Sequence, residues 1–227
     1  MTKESYDYIV MMEVKQMPKE TFLNLSQEKK EKIFREAIKE FGEQGYEKGN
    51  IGKIAKGAGI AKGSLYQYFQ DKKGLYMYCV KESYSISLRY GSSKIKNFEE
   101  VNIIDLFYEG FKDTWVILKE EQDLYIFLLT LSYDNKHNIK DEALTYLLEQ
   151  SRTFMRNIIE TNKEKGYIKK DISTETIVVF IEGISTRMKE YMRDFAEESH
   201  KNAYDMKFDD YENFLKEITY LVKRALT

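Results

Sequence analysis

The sequence predicts an all-α chain, on three observations. Its 227 residues contain one proline, Pro18, and only twelve glycines, whereas a sheet protein needs many turns built from both. Apolar side chains recur at spacings of three and four over long stretches, the period of a helix with one buried face. Breakers are confined to short segments, so the chain divides into about nine helices. With 42% hydrophobic and 33% charged residues, it has the composition of an ordinary globular protein.

Taken in order, an N-terminal arm (1–25) precedes a helix over 26–44, capped by Ser26. Ile33, Phe34, Ala37, Ile38 and Phe41 form its apolar stripe, and Gly45 is its expected stop. A short second helix over 50–57 turns Ile51, Ile54 and Ala55 inward, with Ala58 beside them. Gly59 then makes a tight turn, taking a positive φ at little cost. A third short helix covers 62–69, and Asp71 caps a long fourth helix over 71–90. Further helices are expected at 102–119, 122–133, 139–165, 173–198 and 208–226, with Gly166 ending the third of these. Two short helices joined by a glycine turn and braced by a preceding helix make a helix-turn-helix. Phe34, Ile38, Ile54, Ile60, Leu65 and Phe69 are its expected shared core.

Charge is unevenly spread. Residues 1–80 hold 14 Lys+Arg against 11 Asp+Glu, and residues 81–227 hold 22 against 27. Between 48 and 73, Lys48, Lys53, Lys56, Lys62, Lys72 and Lys73 face one acid, Asp71. Phosphates respond to local charge, so the chain's net −2 does not exclude nucleic acid. On a helical wheel Lys62, Gly63, Tyr66 and Gln67 lie to one side of the third helix, with Leu65 and Phe69 on the neighbouring core side. Lys and Gln suit guanine and adenine edges in a major groove, and the Ser64, Tyr66 and Tyr68 hydroxyls suit phosphates.

Other chemistries find little support. The single Cys79 excludes an internal disulfide and a thiolate zinc site, and fits a reducing cytoplasm; it reads as a small buried helix residue. His137 and His200 have no ligand pattern around them and read as solvated, so no metal is expected. The chain shows no glycine-rich phosphate loop and no nucleophile motif, and an enzyme is not expected. No apolar run reaches membrane-spanning length, so no membrane association is expected and the protein is placed in the cytoplasm.

The run Gln44-Gly45-Tyr46, Ile54-Ala55, Ala58-Gly59-Ile60 and Lys62-Gly63-Ser64-Leu65-Tyr66-Gln67-Tyr68-Phe69-Gln70-Asp71-Lys72 resembles the DNA-binding domain of the tetracycline-repressor (TetR) family. The resemblance covers about 26–78. It implies a helix-turn-helix domain over 26–75, followed by a helical ligand-binding and dimerisation domain over 76–227. Carried over by position, it puts DNA contacts on Lys62, Gly63, Ser64, Tyr66, Gln67, Tyr68 and Lys72. Three departures matter. Gly49-Asn50 stands where Thr-Ser is common, so capping passes to Asn50. Gly52 replaces a common arginine, leaving Lys53 to reach phosphate. Ala61 replaces a serine cap. Met17-Pro18-Lys19 reads like a family start, so residues 1–16 are either dispensable or an arm near the DNA.

The resemblance also implies that the last two helices pair with a second copy. Their apolar stripes comprise Ile177, Ile181, Ile184, Met188 and Tyr191, then Phe214, Ile218 and Leu221; the same stripes would equally close the chain's own core. A helix-turn-helix this small needs a dimer to grip half-sites about 34–36 Å apart. A small-molecule site is implied among the middle helices, with Tyr108, Phe111, Trp115, Phe127, Phe154 and Met155 as candidate lining. Glu109, Asp113, Arg152 and Arg156 are candidate polar contacts. No cofactor is expected beyond an unidentified small-molecule effector. The expected function is a homodimeric repressor on a palindromic double-stranded operator, released when ligand tilts the 71–90 helix; activation is not excluded.

Overall fold

The computed structural model describes residues 18–92, 100–133, 142–198 and 207–227, and within them every regular element is helical. Among the described residues there are ten helices: α1 (Glu20–Leu23), α2 (Gln27–Lys48), α3 (Ile51–Ala58), α4 (Lys62–Tyr68), α5 (Lys72–Ser92), α6 (Ile103–Glu120), α7 (Gln122–Tyr133), α8 (Glu142–Glu164), α9 (Thr174–Glu198) and α10 (Phe208–Leu226). The additional one is α1, a single turn inside the stretch expected to be an arm. Residues 1–16, His137 and His200 lie outside the described residues.

Local chemistry sets most boundaries. Ser26 accepts from Lys29 N at 3.4 Å and opens α2. Gly45 bends that helix rather than stopping it. Its φ of 70° and ψ of 174° are non-helical, a conformation that only glycine adopts without strain. A final turn then closes through Gly49 N to Gly45 O at 3.0 Å. α3 ends at Gly59, φ 71°, with Ile60 N donating to Ala55 O and Gly59 N to Lys56 O, a Schellman closure. Gly166 ends α8 in the same way, at φ 71°, with Tyr167 N donating to Asn162 O at 2.9 Å.

The chain packs as two compact units that are not consecutive stretches. Among the described residues, one takes in 18–89 together with 121–133 and 142–146; the other takes in 90–92, 100–120, 147–198 and 207–227. The expected domain boundary at 75/76 falls inside α5, and α7 packs with the N-terminal helices on α2.

In the first unit the α2 stripe is fully buried: Ile33, Phe34, Ala37, Ile38 and Phe41 are each exposed by no more than 1%. Ile54, Leu65 and Phe69 join them, as expected, with Ile60 half-buried. An aromatic cluster ties α1, α4 and α5: Phe22 lies 4.8 Å from Phe69 and 5.0 Å from Tyr78. α7 docks on α2 closely enough that a Cβ on Gly42 would stand 3.1 Å from Ile126 Cγ2 and 3.2 Å from the Phe127 backbone nitrogen. Thr130 Oγ1 donates to Gly42 O at 3.0 Å, and Arg35 pairs with both carboxylate oxygens of Glu121.

In the second unit a buried amide holds two helices together. Asn162 Oδ1 accepts from Ile103 N at 2.9 Å, while its Nδ2 donates to Val101 O and Ile158 O. A buried amide satisfied in this way fixes the start of α6 against the end of α8. Trp115 stacks on Tyr211 with centroids 5.3 Å apart and planes at 12°, closing α6 on α10. Among the described residues no helix is long and apolar enough to cross a membrane, and no group of His, Cys, Asp and Glu could hold a metal ion.

Candidate functional site

The site is built from α3, α4 and what fixes them. α3 needs a side-chain cap, because the first N–H groups of a helix have no partner inside it. Asn50 supplies the cap: its Oδ1 accepts from Gly52 N at 2.8 Å and from Lys53 N at 3.3 Å, as the departure at 49–50 led us to expect. Glu40 holds Asn50 in turn, accepting from its backbone N at 3.0 Å. The preceding Gly49 is buried against Phe41, where a Cβ would stand 2.5 Å from the ring, so packing demands glycine here. Lys53 extends outward with 65% of its side chain exposed, 3.8 Å from the Glu40 carboxylate.

α4 carries the expected division of faces. Leu65 and Phe69 are each 2% exposed. Lys62, Gly63, Tyr66 and Gln67 are exposed, and Ser64 and Tyr68 are half-buried. Ala61 gives α4 no side-chain cap. Tyr66 is 43% exposed, a large aromatic in water with no intramolecular packing to explain the whole of it. A Cβ on Gly63 would meet nothing within 4 Å, so nothing inside the chain requires glycine there.

Two features not legible in sequence hold this face. Lys72 donates from Nζ to Glu47 O at 2.9 Å and lies 4.9 Å from the Tyr46 ring centroid. A cation at the C-terminal end of α2 meets its unsatisfied carbonyls; an ammonium carries three donors, so two remain. The second is α1. Lys19 N donates to Tyr68 O at 2.8 Å, Lys19 Nζ to Tyr66 O at 3.1 Å and Thr21 Oγ1 to Gln67 O at 2.9 Å. Three successive carbonyls at the end of α4 are thus satisfied from the stretch just after Pro18, with Phe22 buried beneath.

In the second unit a cavity of about 210 Å³ opens along α6, bordered by Ile103, Leu106, Phe107 and Phe111, with Met155 opposite. Of the six residues expected to line a ligand site, Phe111 and Met155 border it. Tyr108 instead donates to Glu212 at 2.8 Å, Trp115 is stacked on Tyr211, Phe154 is half-buried, and Phe127 is core of the other unit, 5.7 Å from Tyr76. Arg152 pairs with Glu182 and Glu149, Arg156 with Glu175, and Glu109 with Lys112; Asp113 is buried.

The late stripes split by direction. Ile177, Ile181 and Met188 are buried within their own unit. Tyr191 and Phe214 are half-buried and stack on each other at 4.3 Å, and Ile184 and Ile218 are half-buried. Leu221 is 60% exposed, as is Tyr220, and Val179 is 68% exposed. Spacing finds an apolar stripe on a helix but not which body it faces.

Residues 33–79 match the family model "Bacterial regulatory proteins, tetR family". Over 167 residues the chain is 22% identical to an HTH-type transcriptional regulator of Bacillus subtilis (strain 168), YdgC, covering 72% of this chain and 80% of that one. In fold it is similar to a TetR family transcriptional regulator from Chloroflexus aurantiacus J-10-FL, with TM-score 0.70, 20% identity, and 92% and 98% of the two chains covered. It is also similar to FadR from Bacillus subtilis, solved with stearoyl-CoA, with TM-score 0.65, 16% identity, and 84% and 97% covered. These relatives are transcriptional regulators rather than enzymes. The segment that builds α2 to α5 thus matches the tetR family of bacterial regulatory proteins, and the chain as a whole shares the fold of tetR-family regulators.

Proposed function

We propose that the protein is a homodimeric transcriptional repressor that grips a palindromic operator through α4 of each copy and releases it when a small molecule occupies the second unit. One observation carries the reading: α4 is held rigidly from behind while Lys62, Gly63, Tyr66 and Gln67 stand in water with no internal role. Lys62 and Gln67 read base edges, Tyr66 packs against bases or sugar, and Gly63 lets the helix start approach the duplex closely. Ser64, Tyr68, Lys53 and Lys72 take phosphates, Lys72 already oriented by its bond to Glu47 O. The protein works where bacterial DNA lies, in the cytoplasm.

The dimer is supported by what α9 and α10 leave exposed. Val179, Phe180, Tyr220 and Leu221 are large apolar side chains in water, and a second copy would cover them isologously. Gly183 lies one turn from Val179 and Phe180, is exposed and meets nothing within 4 Å. A bare backbone there suits a close helix–helix approach.

Release is supported by chain connection. α6, which borders the cavity, is followed after one residue, Glu121, by α7, which is docked on α2 through Gly42 and the Arg35–Glu121 pair. A ligand that shifts α6 therefore acts on the brace of the helix-turn-helix as well as through α5. Couplings of ~1–3 kcal/mol change affinity about 5–150-fold. FadR was solved with stearoyl-CoA; that ligand is that protein's and is not carried over.

Fluorescence anisotropy with the DNA upstream of the protein's own gene tests the reading. Binding should prefer that sequence and fall steeply with salt, with a logarithmic slope of about −0.9 per phosphate neutralised. Salt-independent binding, or none, contradicts it.

A further inference from the structure

The cavity of the second unit is apolar with one exception in kind. Phe107, Phe111 and Ile181 give it hydrocarbon walls, and Gly110, in the middle of α6, gives it depth, because a Cβ there would meet nothing within 4 Å. The polar groups on its border are Thr114, Ser185 and Lys189. Thr114 Oγ1 already donates to Gly110 O at 2.9 Å. Lys189 is different, because it brings a full charge.

No described acid balances that charge. On α9, Glu175 is held by Arg156, Glu182 by Arg152 and Glu190 by Arg187. Withdrawal from water, with nothing offsetting it, holds the Lys189 ammonium below the usual lysine range. An ammonium at the edge of an apolar cavity is costly unless an anion meets it.

We propose that this cavity binds a small organic monocarboxylate, its carboxylate paired with Lys189 and its apolar body filling the space beside Gly110. A cavity of about 210 Å³ suits a small organic molecule. A monoanion is favoured over a phosphate because one ammonium is present, without the arginine fork or several donors that a dianion requires. A cationic ligand would be repelled, and a neutral one would leave the ammonium unpaired. The inference rests on the small-molecule effector reading and names the class of effector.

Calorimetric titration of the full chain with octanoate, octanol and octylamine tests it, alongside operator anisotropy. Octanoate should bind wild-type protein at least about tenfold more tightly than either analogue. Lys189→Met should bind octanoate no better than octanol. Gly110→Leu, which fills the cavity while favouring the helix, should abolish octanoate binding; circular dichroism verifies that both variants fold. Equal binding of octanoate and octanol to wild type, no octanoate binding, or a preference that survives in Lys189→Met overturns the proposal. The two readings separate cleanly. Octanoate binding that leaves operator affinity unchanged supports this site and contradicts ligand release. Failure of octanoate to bind, with intact operator recognition, overturns the site and leaves DNA binding standing.

Discussion

Gly63 and Lys189 are the single residues on which the proposed partners most directly rest. Glycine within a helix costs about 0.5–1 kcal/mol relative to alanine, and nothing within 4 Å of Gly63 calls for its lack of a side chain. Gly63→Ala should therefore raise stability to urea by about that amount while weakening operator binding; a variant that binds as tightly as wild type would remove close approach as the reason for glycine. Lys189 carries the opposite mismatch, a charge where the surroundings are apolar. Its folded pKa is depressed below 10.5 by burial, so the unfolded chain binds this proton more tightly. The destabilisation is complete below the folded value and vanishes as pH rises past 10.5. Lys189→Met is thus expected to raise the melting temperature at pH 7 and to lose that advantage near pH 11. An advantage that grew with pH would reverse the sign of this account. Cys79 is also buried, its thiol pushed up by desolvation and then by Glu82, and it should react with thiol reagents only after unfolding.

At the scale of elements, α4 is a seven-residue helix, too short to hold its shape alone. Leu65 and Phe69 anchor its inner face, and α1 satisfies its last carbonyls through Lys19 and Thr21. Thr21→Val keeps the shape of the side chain and removes the bond to Gln67 O. It should cost about 1 kcal/mol in unfolding and loosen the operator complex. Unchanged affinity and stability would show that α1 does not brace the reading helix. The helices themselves were largely legible in the sequence: α7 and α10 run over the expected residues, and Asn50 and Asp71 cap where expected. Those signals are local, a cap within three residues or a stripe within two turns. The bond from Thr21 to Gln67 spans 46 residues, and Gly42 is tight only because α7 arrives beside it. Nothing in the sequence singles out Lys189; only the packing of α6 and α8 beside α9 sets it on a cavity. The stripe of α9 was visible, but whether Ile177 and Met188 face the chain's own core or another body depends on packing that spacing does not encode.

On the proposed reading, the whole molecule must hold two reading helices at a fixed separation, which one copy cannot do. Val179 and Leu221 are exposed within a single chain, so Val179→Glu with Leu221→Glu should leave the fold intact. The pair should halve the mass measured by light scattering and greatly reduce operator affinity; a variant that stays dimeric would move the interface elsewhere. The proposed ligand release would turn on coupling along the chain, from cavity-lining α6 into α7 and so to α2. The most direct measurement of the central claim is operator affinity of Lys62→Ala and Tyr66→Ala, by anisotropy at fixed salt, with mass checked in parallel. Each substitution should cost about 1–3 kcal/mol of specific binding with the dimer unchanged. Wild-type affinity in both variants would contradict the assignment of α4 as the helix that reads DNA.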